Sequence, residues 1–308
     1  MTAYVACLAG LLASLLAGCG GNYSNEDVDF QLALPAQEDL AIRLPLTAVD
    51  PPAAAEYYKI TRGVVTVFNG IAASFLLLLD RVRLSPPSER HPGLRVWGPF
   101  PDGDHPGWEA RVTIARDPAV PLPAPFTYAV TVRRLGSADW VPLIDGAVTS
   151  QGAIGRGVGR LHLDTTAARA AGYPLLGLDG WRELTIQHDT RAFPVSLNVT
   201  LVDHPAGRTL AYHYQQAMDG TGAMTYDFPP PDPTAPGASI ITLLRIQSRW
   251  LPTGAGRADT QVLQGIPLVV GKGGIDCWGP DAVATYVQRD VEPAKNSGTV
   301  ASCVFQGN

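Results

Sequence analysis

Charge is scarce in this 308-residue sequence: Asp, Glu, Lys and Arg together make up 17% of it, below the quarter or so usual in globular chains. Lysine is nearly missing, with 3 residues against 20 arginines, and the first 18 residues carry no charged side chain. The 23 basic residues are outnumbered by 28 acidic ones, giving net −5. That leaves no electrostatic footprint for nucleic acid. Four cysteines are too few for a disulfide-dense scaffold. Glycine, at 32 residues, is far from one in three, which excludes a collagen-like chain. A hydrophobic content of 46% excludes wholesale disorder. No internal repeat is visible.

Motifs for chemistry are missing too. There is no Gly-x-Ser-x-Gly nucleophile elbow. The nearest approach to a phosphate loop, Gly265 to Gly273, has the wrong spacing and no hydroxyl after Lys272. Gly155-Arg156-Gly157-Val158-Gly159 leads into a strand-like segment where a dinucleotide site needs a helix. The six histidines form no compact ligand pair, although His188 and His213 could meet if their strands were neighbours. Asp102-Gly103-Asp104-His105 lacks the later oxygen ligands of a calcium loop. The sequence therefore predicts no catalytic residue, no metal and no cofactor; it reads as a non-enzyme.

What is present begins with an address. Residues 1–18, MTAYVACLAGLLASLLAG, form an apolar run of signal-peptide length, short for a membrane span. It ends in Leu16-Ala17-Gly18-Cys19, which resembles the lipobox of bacterial lipoproteins. The resemblance implies cleavage before Cys19 and its acylation with palmitate-type chains. The n-region departs from the pattern in having no Lys or Arg. Gly20, in place of the Asp that retains lipoproteins at the inner membrane of enteric bacteria, points to the outer membrane. Residues 19–55 read as a lipidated tether, hydrophilic from Gly20 to Asp27, and an extended lead-in. Within the lead-in, Leu40–Leu44 could be a short strand. With Cys7 lost in the signal and Cys19 acylated, Cys277 and Cys303 are left to pair in an oxidising compartment. Their loop of about 26 residues is worth roughly 3 kcal/mol in the chain-entropy model.

Residues 56–308 read as one domain. Ile60, Val64, Val67, Phe68, Ile71, Phe75, Leu78, Leu79 and Val82 step by three and four, which predicts one long N-terminal helix ending before Pro86-Pro87. Seventeen uncharged residues separate Arg62 from Asp80, but Gly63, Asn69 and Gly70 interrupt them, so a buried helix is favoured over a membrane span. After Pro87 the period becomes two. Alternation is clear at 108–114, 126–132, 195–201 and 210–214. It is weaker at 160–164, 182–188, 223–228, 240–250, 257–263, 283–289 and 299–305. Residues 165–172 suit one or two helical turns, and Phe228 to Pro233 an exposed loop. The expected fold is mainly β: a curved antiparallel meander of about 10–11 strands, an open or half β-barrel, wrapped around the helix.

In element order this resembles the LolA/LolB-type lipoprotein carriers of the envelope, which share a curved sheet closed by helices. The aromatics Trp97, Trp108, Tyr128, Trp140, Tyr212, Tyr214 and Trp250 fall at strand positions, and most are expected in the core. Some could line a hydrophobic ligand cavity, for which Val67, Phe68, Ile71, Phe75, Tyr128 and Tyr212 are the candidates. The expected role is that of an outer-membrane-anchored envelope lipoprotein with structural or protein-interaction function. The alternative is a module binding a hydrophobic ligand such as a lipid, acyl chain or lipoprotein. The expected partners are the membrane, through the lipid anchor, and an envelope protein or hydrophobic small molecule.

Overall fold

The computed structural model describes residues 24–45, 53–150, 156–175, 178–228 and 241–306. The expected signal segment, Cys19 and the proline-rich stretch from 229 onward lie outside them. Among the described residues fifteen strands, β1 to β15, form one antiparallel sheet in strict sequence order. Its middle runs β7 (Trp181–Asp189), β8 (Val195–Asp203), β9 (Thr209–Gln216), β10 (Gly222–Phe228), β11 (Ile241–Trp250), β12 (Gly256–Gly265) and β13 (Gly273–Trp278). The edges, β1 (Glu89–His91) and β15 (Ser297–Gly298), are short and do not pair with each other, so the sheet is open. Short, polar edges resist pairing with further chains.

Alternation builds these strands. β4 (Pro125–Arg134) buries Phe126, Tyr128, Val130 and Val132 and turns Thr127 outward, and its neighbours follow the same rule. One face of the sheet is therefore apolar, and helix and lead-in cover it. Up-and-down pairing also defines two rims. The loops that follow even-numbered strands share one rim, here the even rim. Those that follow odd-numbered strands share the odd rim.

Among the described residues four α-helices accompany the sheet, which corrects the expectation of a single N-terminal one. They are α1 (Asn25–Leu32), α2 (Gln37–Leu40), α3 (Glu56–Leu84) and α4 (Thr166–Ala170). The tether is also shorter than expected. Ser24 caps α1 in a capping box with Asp27, and Asp27 is completely buried. Residues 41–45 are extended but pair with no strand, because their polar groups bond to α3 and to strand side chains instead.

The 29-residue α3 crosses the apolar face diagonally. At its start, the Tyr57 N–H donates to Asp276 of β13. Just past its end, the Ser85 carbonyl accepts from Trp97 Nε1 of β2 (Leu94–Pro101). No helix among the described residues is long and apolar enough to cross a membrane. The lead-in packs along one flank of α3. Asn69 clamps it by accepting from the Ile42 N–H and donating to the Ile42 carbonyl, at 2.9 and 3.0 Å. Phe30, Leu34, Leu40, Ile42 and Leu44 are buried there, with Phe30 edge-on to Phe126 at 5.3 Å. The lead-in contacts the strands near the odd rim: Phe126 begins β4, Tyr214 near the end of β9 accepts from the Arg43 N–H at 3.2 Å, and Trp250, donating to the Arg43 carbonyl at 2.9 Å, ends β11.

The strand count of 10–11 is also corrected. β1, β2, β5 (Val141–Ser150), β13 and β15 were not expected, and the segment 299–305 is no strand. It holds a 3-10 turn, Val300–Ser302, followed by Cys303, whose disulfide to Cys277 of β13 ties the C-terminal segment to the sheet. Arg257 fastens the same segment by donating to the Phe305 carbonyl at 2.9 Å.

Candidate functional site

The histidine pair that neighbouring strands would have allowed does not form. His213 faces outward and contacts Asn198 through Nδ1 at 2.7 Å. His188, two strands away on β7, points to the buried face over Gly159, and only 5% of it is exposed. Neither of its ring nitrogens has a hydrogen-bond partner among the described residues. Burial therefore lowers its pKa to about 4, against a small opposing pull from Asp189. A histidine kept neutral in the fold makes the unfolded chain the better proton acceptor below its ordinary pKa of about 6.5. Stability from this site is complete above that value and drains away as pH falls toward 4, by on the order of 3 kcal/mol. Denaturant midpoints measured in steps from pH 7 to 4 check this. The decline should be markedly shallower in His188→Leu, and an unchanged slope in that variant would reject the account.

The other acid–histidine neighbours are structural. His162 contacts Asp145 rather than Asp164, at 2.8 Å. Asp102 accepts from the Tyr173 hydroxyl at 2.6 Å and contacts His105 at 2.8 Å, pinning the loop between β2 and β3 (Trp108–Arg116) to the segment after α4. Among the described residues no cluster of three or more His, Cys, Asp or Glu is placed to hold a metal.

The opposite flank of α3 from the lead-in is open. Asn69 lies nine residues after Ile60, about two and a half turns at 3.6 residues per turn. The lead-in and Ile60 are therefore on opposite sides of the helix. On Ile60's side, Gly63, Val64, Val67 and Phe68 continue the stripe, and they wall a cleft of about 410 Å³. Trp181 of β7, Leu201 of β8, Leu210 and Tyr212 of β9, and Tyr226 and Asp227 of β10 form its floor. Trp181 and Leu210 stand at strand starts and Asp227 near a strand end, so the cleft lies toward the even rim. The lead-in thus fills the odd-rim side of the apolar face, and the cleft occupies the other.

Hydroxyls fix the helix above this floor. Thr61 Oγ1 donates to the Tyr57 carbonyl at 2.8 Å, leaving its lone pairs to accept from Tyr226 at 2.8 Å and Ser248 at 2.7 Å. Burial pushes the Tyr212 hydroxyl up to about 12 and raises that of Tyr226, so both phenols stay neutral. Asp227 is the sole charged lining residue, and Arg245 engages both its oxygens at 2.7 and 2.8 Å. The lining offers apolar surface and aromatic faces, with its one charge already neutralised.

Of the six expected cavity residues, Val67, Phe68 and Tyr212 line the cleft. Ile71 is buried and is not among the lining residues. The Phe75 side chain lies outside the description. Tyr128 is a correction: it belongs to β4, where its ring lies against Gly146 of β5 and its hydroxyl donates to the Arg160 carbonyl at 3.3 Å. A Cβ at position 146 would come within 2.2 Å of that ring, so glycine is required there. Trp140 is half-buried rather than core; the guanidinium groups of Arg111 and Arg133 lie over its ring at 4.4 and 4.3 Å. Ile60, Gly63, Val64, Trp181, Leu201, Leu210, Tyr226 and Asp227 line the cleft without having been among the candidates. Gly63 carried a readable signal, being the one residue without a side chain in an aliphatic stripe.

A second, smaller cavity of about 170 Å³ lies toward the odd rim, with Arg43, Arg156, Thr190 and Gln216 among its walls. Comparison with protein-family models, curated proteins and solved structures finds no match to this chain. The candidate site therefore stands on its own geometry.

Proposed function

We propose that this chain is a lipid-anchored envelope lipoprotein that binds one single-chain amphiphile in the cleft between α3 and β7–β10. The open sheet is read as a half barrel wrapped around α3, and Cys19 as the acylated residue that holds the chain at the outer membrane. The observation that carries the binding reading is the 410 Å³ apolar cleft, whose only charged lining residue is already paired. Its volume falls in the usual range for small-molecule sites, about 300–1,000 Å³. A purely structural or protein-interaction role, the other expectation, gives no reason for one flank of the helix to be left open while the lead-in seals the other.

Magnitudes bound the ligand. Each buried methylene contributes about 0.8 kcal/mol, so about ten contribute roughly 8 kcal/mol before immobilisation costs. That corresponds to micromolar affinity at best. Native mass spectrometry of the purified protein should show one retained amphiphile, and an environment-sensitive fatty-acid probe of 12 to 16 carbons should bind one to one. A chain that holds no lipid and leaves the probe unbound at tens of micromolar would sink the proposal.

A further inference from the structure

The hairpin joining β12 and β13 sits on the even rim, two strands from the β10 wall of the cleft. At neighbouring-strand spacing of about 4.8 Å, that is roughly 10 Å away. Its tip reads Ile266-Pro267-Leu268-Val269-Val270. Ile266, Leu268 and Val270 are 44, 79 and 48% exposed, while Val269 is tucked beneath them. From Thr260 to Ile275 the only charged residue is Lys272, and there is no acidic side chain.

The backbone holds this tip in shape. The Val269 N–H donates to the Ile266 carbonyl and the Lys272 N–H to the Val269 carbonyl, both at 3.0 Å. The Gly271 N–H and the Lys272 carbonyl close the base onto Val262 at 2.9 and 2.8 Å. The exposed aliphatics therefore have no slack with which to fold back and bury themselves. Contiguous apolar exposure of this kind marks an interaction site.

From the hairpin's geometry we infer that it inserts into a lipid bilayer and seats the even rim, with its cleft mouth, on the membrane surface. A convex tip with three separately projecting aliphatic side chains and no hydrogen-bonding side chain suits fluid hydrocarbon. One lysine at its base suits the headgroup layer, where a long stem can keep its ammonium in water. Val67, 51% exposed on the α3 wall, extends the apolar rim toward the cleft. An amphiphile entering from a docked bilayer would pass along apolar surface without crossing open water. The docking itself does not depend on the cleft binding anything; only this last step rests on the reading above.

Flotation with phosphatidylcholine vesicles tests the inference. The chain from residue 19 onward, carrying Cys19→Ser so that no acyl group contributes, retains every described residue. It should float with the vesicles. Leu268→Asp should lower the partition coefficient at least tenfold, with thermal stability unchanged because that side chain is 79% exposed. Ile266→Asp should behave alike. Hydrogen exchange should slow on vesicle addition at residues 264–272. Gly63→Phe, which fills the cleft, should float like the parent even when the fatty-acid probe no longer binds. If the parent does not float, or Leu268→Asp floats undiminished, docking by this hairpin is overturned whatever the cleft binds. Binding of the probe by a parent chain that does not float would leave the cleft reading standing alone.

Discussion

Asp27→Ala should destabilise the protein by about 3–5 kcal/mol, the cost of breaking a buried charge pair by removing one partner. Asp27 is completely buried, and Arg95, 4% exposed, donates Nε to its Oδ1 at 2.6 Å. Arg90 reaches its other oxygen at 3.1 Å, and the Ser24 N–H does so at 2.9 Å. Removing the carboxylate leaves the Arg95 guanidinium bonded to the His91 and Leu94 carbonyls, with Glu26 as its remaining carboxylate partner, whose side chain is 40% exposed and therefore screened by water. It also removes half of the capping box of α1, worth roughly a further 1 kcal/mol. The lead-in would lose its tie to β1–β3, and with it the cover over Phe30 and Phe126. Equilibrium denaturation of the unacylated chain measures this, and a loss under 1 kcal/mol would reject the assignment.

The same carboxylate gives a second signature in acid. Burial alone would raise its pKa, but the Ser24 N–H, Arg95 and Arg90 together outweigh burial and hold it at about 2. A carboxyl depressed in the fold contributes stability that is complete above its unfolded value of about 4 and is lost as pH falls toward 2. The shift corresponds to between about 2 and 3 kcal/mol. His188 titrates between about 6.5 and 4, so the two windows barely overlap and two variants can separate them. Asp27→Asn, which keeps the shape of the cap, should flatten the lower window only.

Alternation along the strands was legible because each has one dry face. Where both faces are covered or the pattern is broken, it was not. β13, Gly-Gly-Ile-Asp-Cys-Trp, places Asp276 under α3 and Cys277 under the C-terminal segment, so neither face reads as solvent. β5 carries Pro142, Asp145 and Gly146, each a loop residue by local preference. Pairing on both sides overrides that preference, and Gly146 is needed by Tyr128 across the sheet. The opposite error arose at 299–305, where apolar residues are held by a disulfide rather than a ladder.

The capping box at Ser24 and Asp27 was present in the sequence but read as tether, because its decisive partner, Arg95, lies 68 residues away. The cleft was half legible for a related reason. Periodicity marks the apolar face of α3, yet it does not say how far each part of that face stands from the sheet. The lead-in decides this by filling one flank, and its packing depends on Asn69, which the periodicity registers only as an interruption.

Gly63→Phe should abolish probe binding, lowering affinity by at least tenfold, while leaving the fold as stable as before or more so. These two effects rarely travel together. Most substitutions that damage a site inside a protein also damage the packing around it. Here nothing lies within 4 Å of a Cβ built at position 63, because the residue faces the cleft. A phenyl ring there has space to enter and apolar walls to contact, which contributes about 1.5–3 kcal/mol if it is fully buried. Replacing glycine inside a helix adds about 0.5 kcal/mol more. An acyl chain would then have to displace a tethered ring that is already dry. Gly63→Ala separates the two contributions: it should raise stability by about 0.5–1 kcal/mol through helix propensity and keep most of the binding, since one methyl group takes little of the space. Thermal melts and probe titrations on the same three proteins decide the matter. If Gly63→Phe folds and still binds the probe with the parent's affinity, the ligand does not sit between α3 and β7–β10.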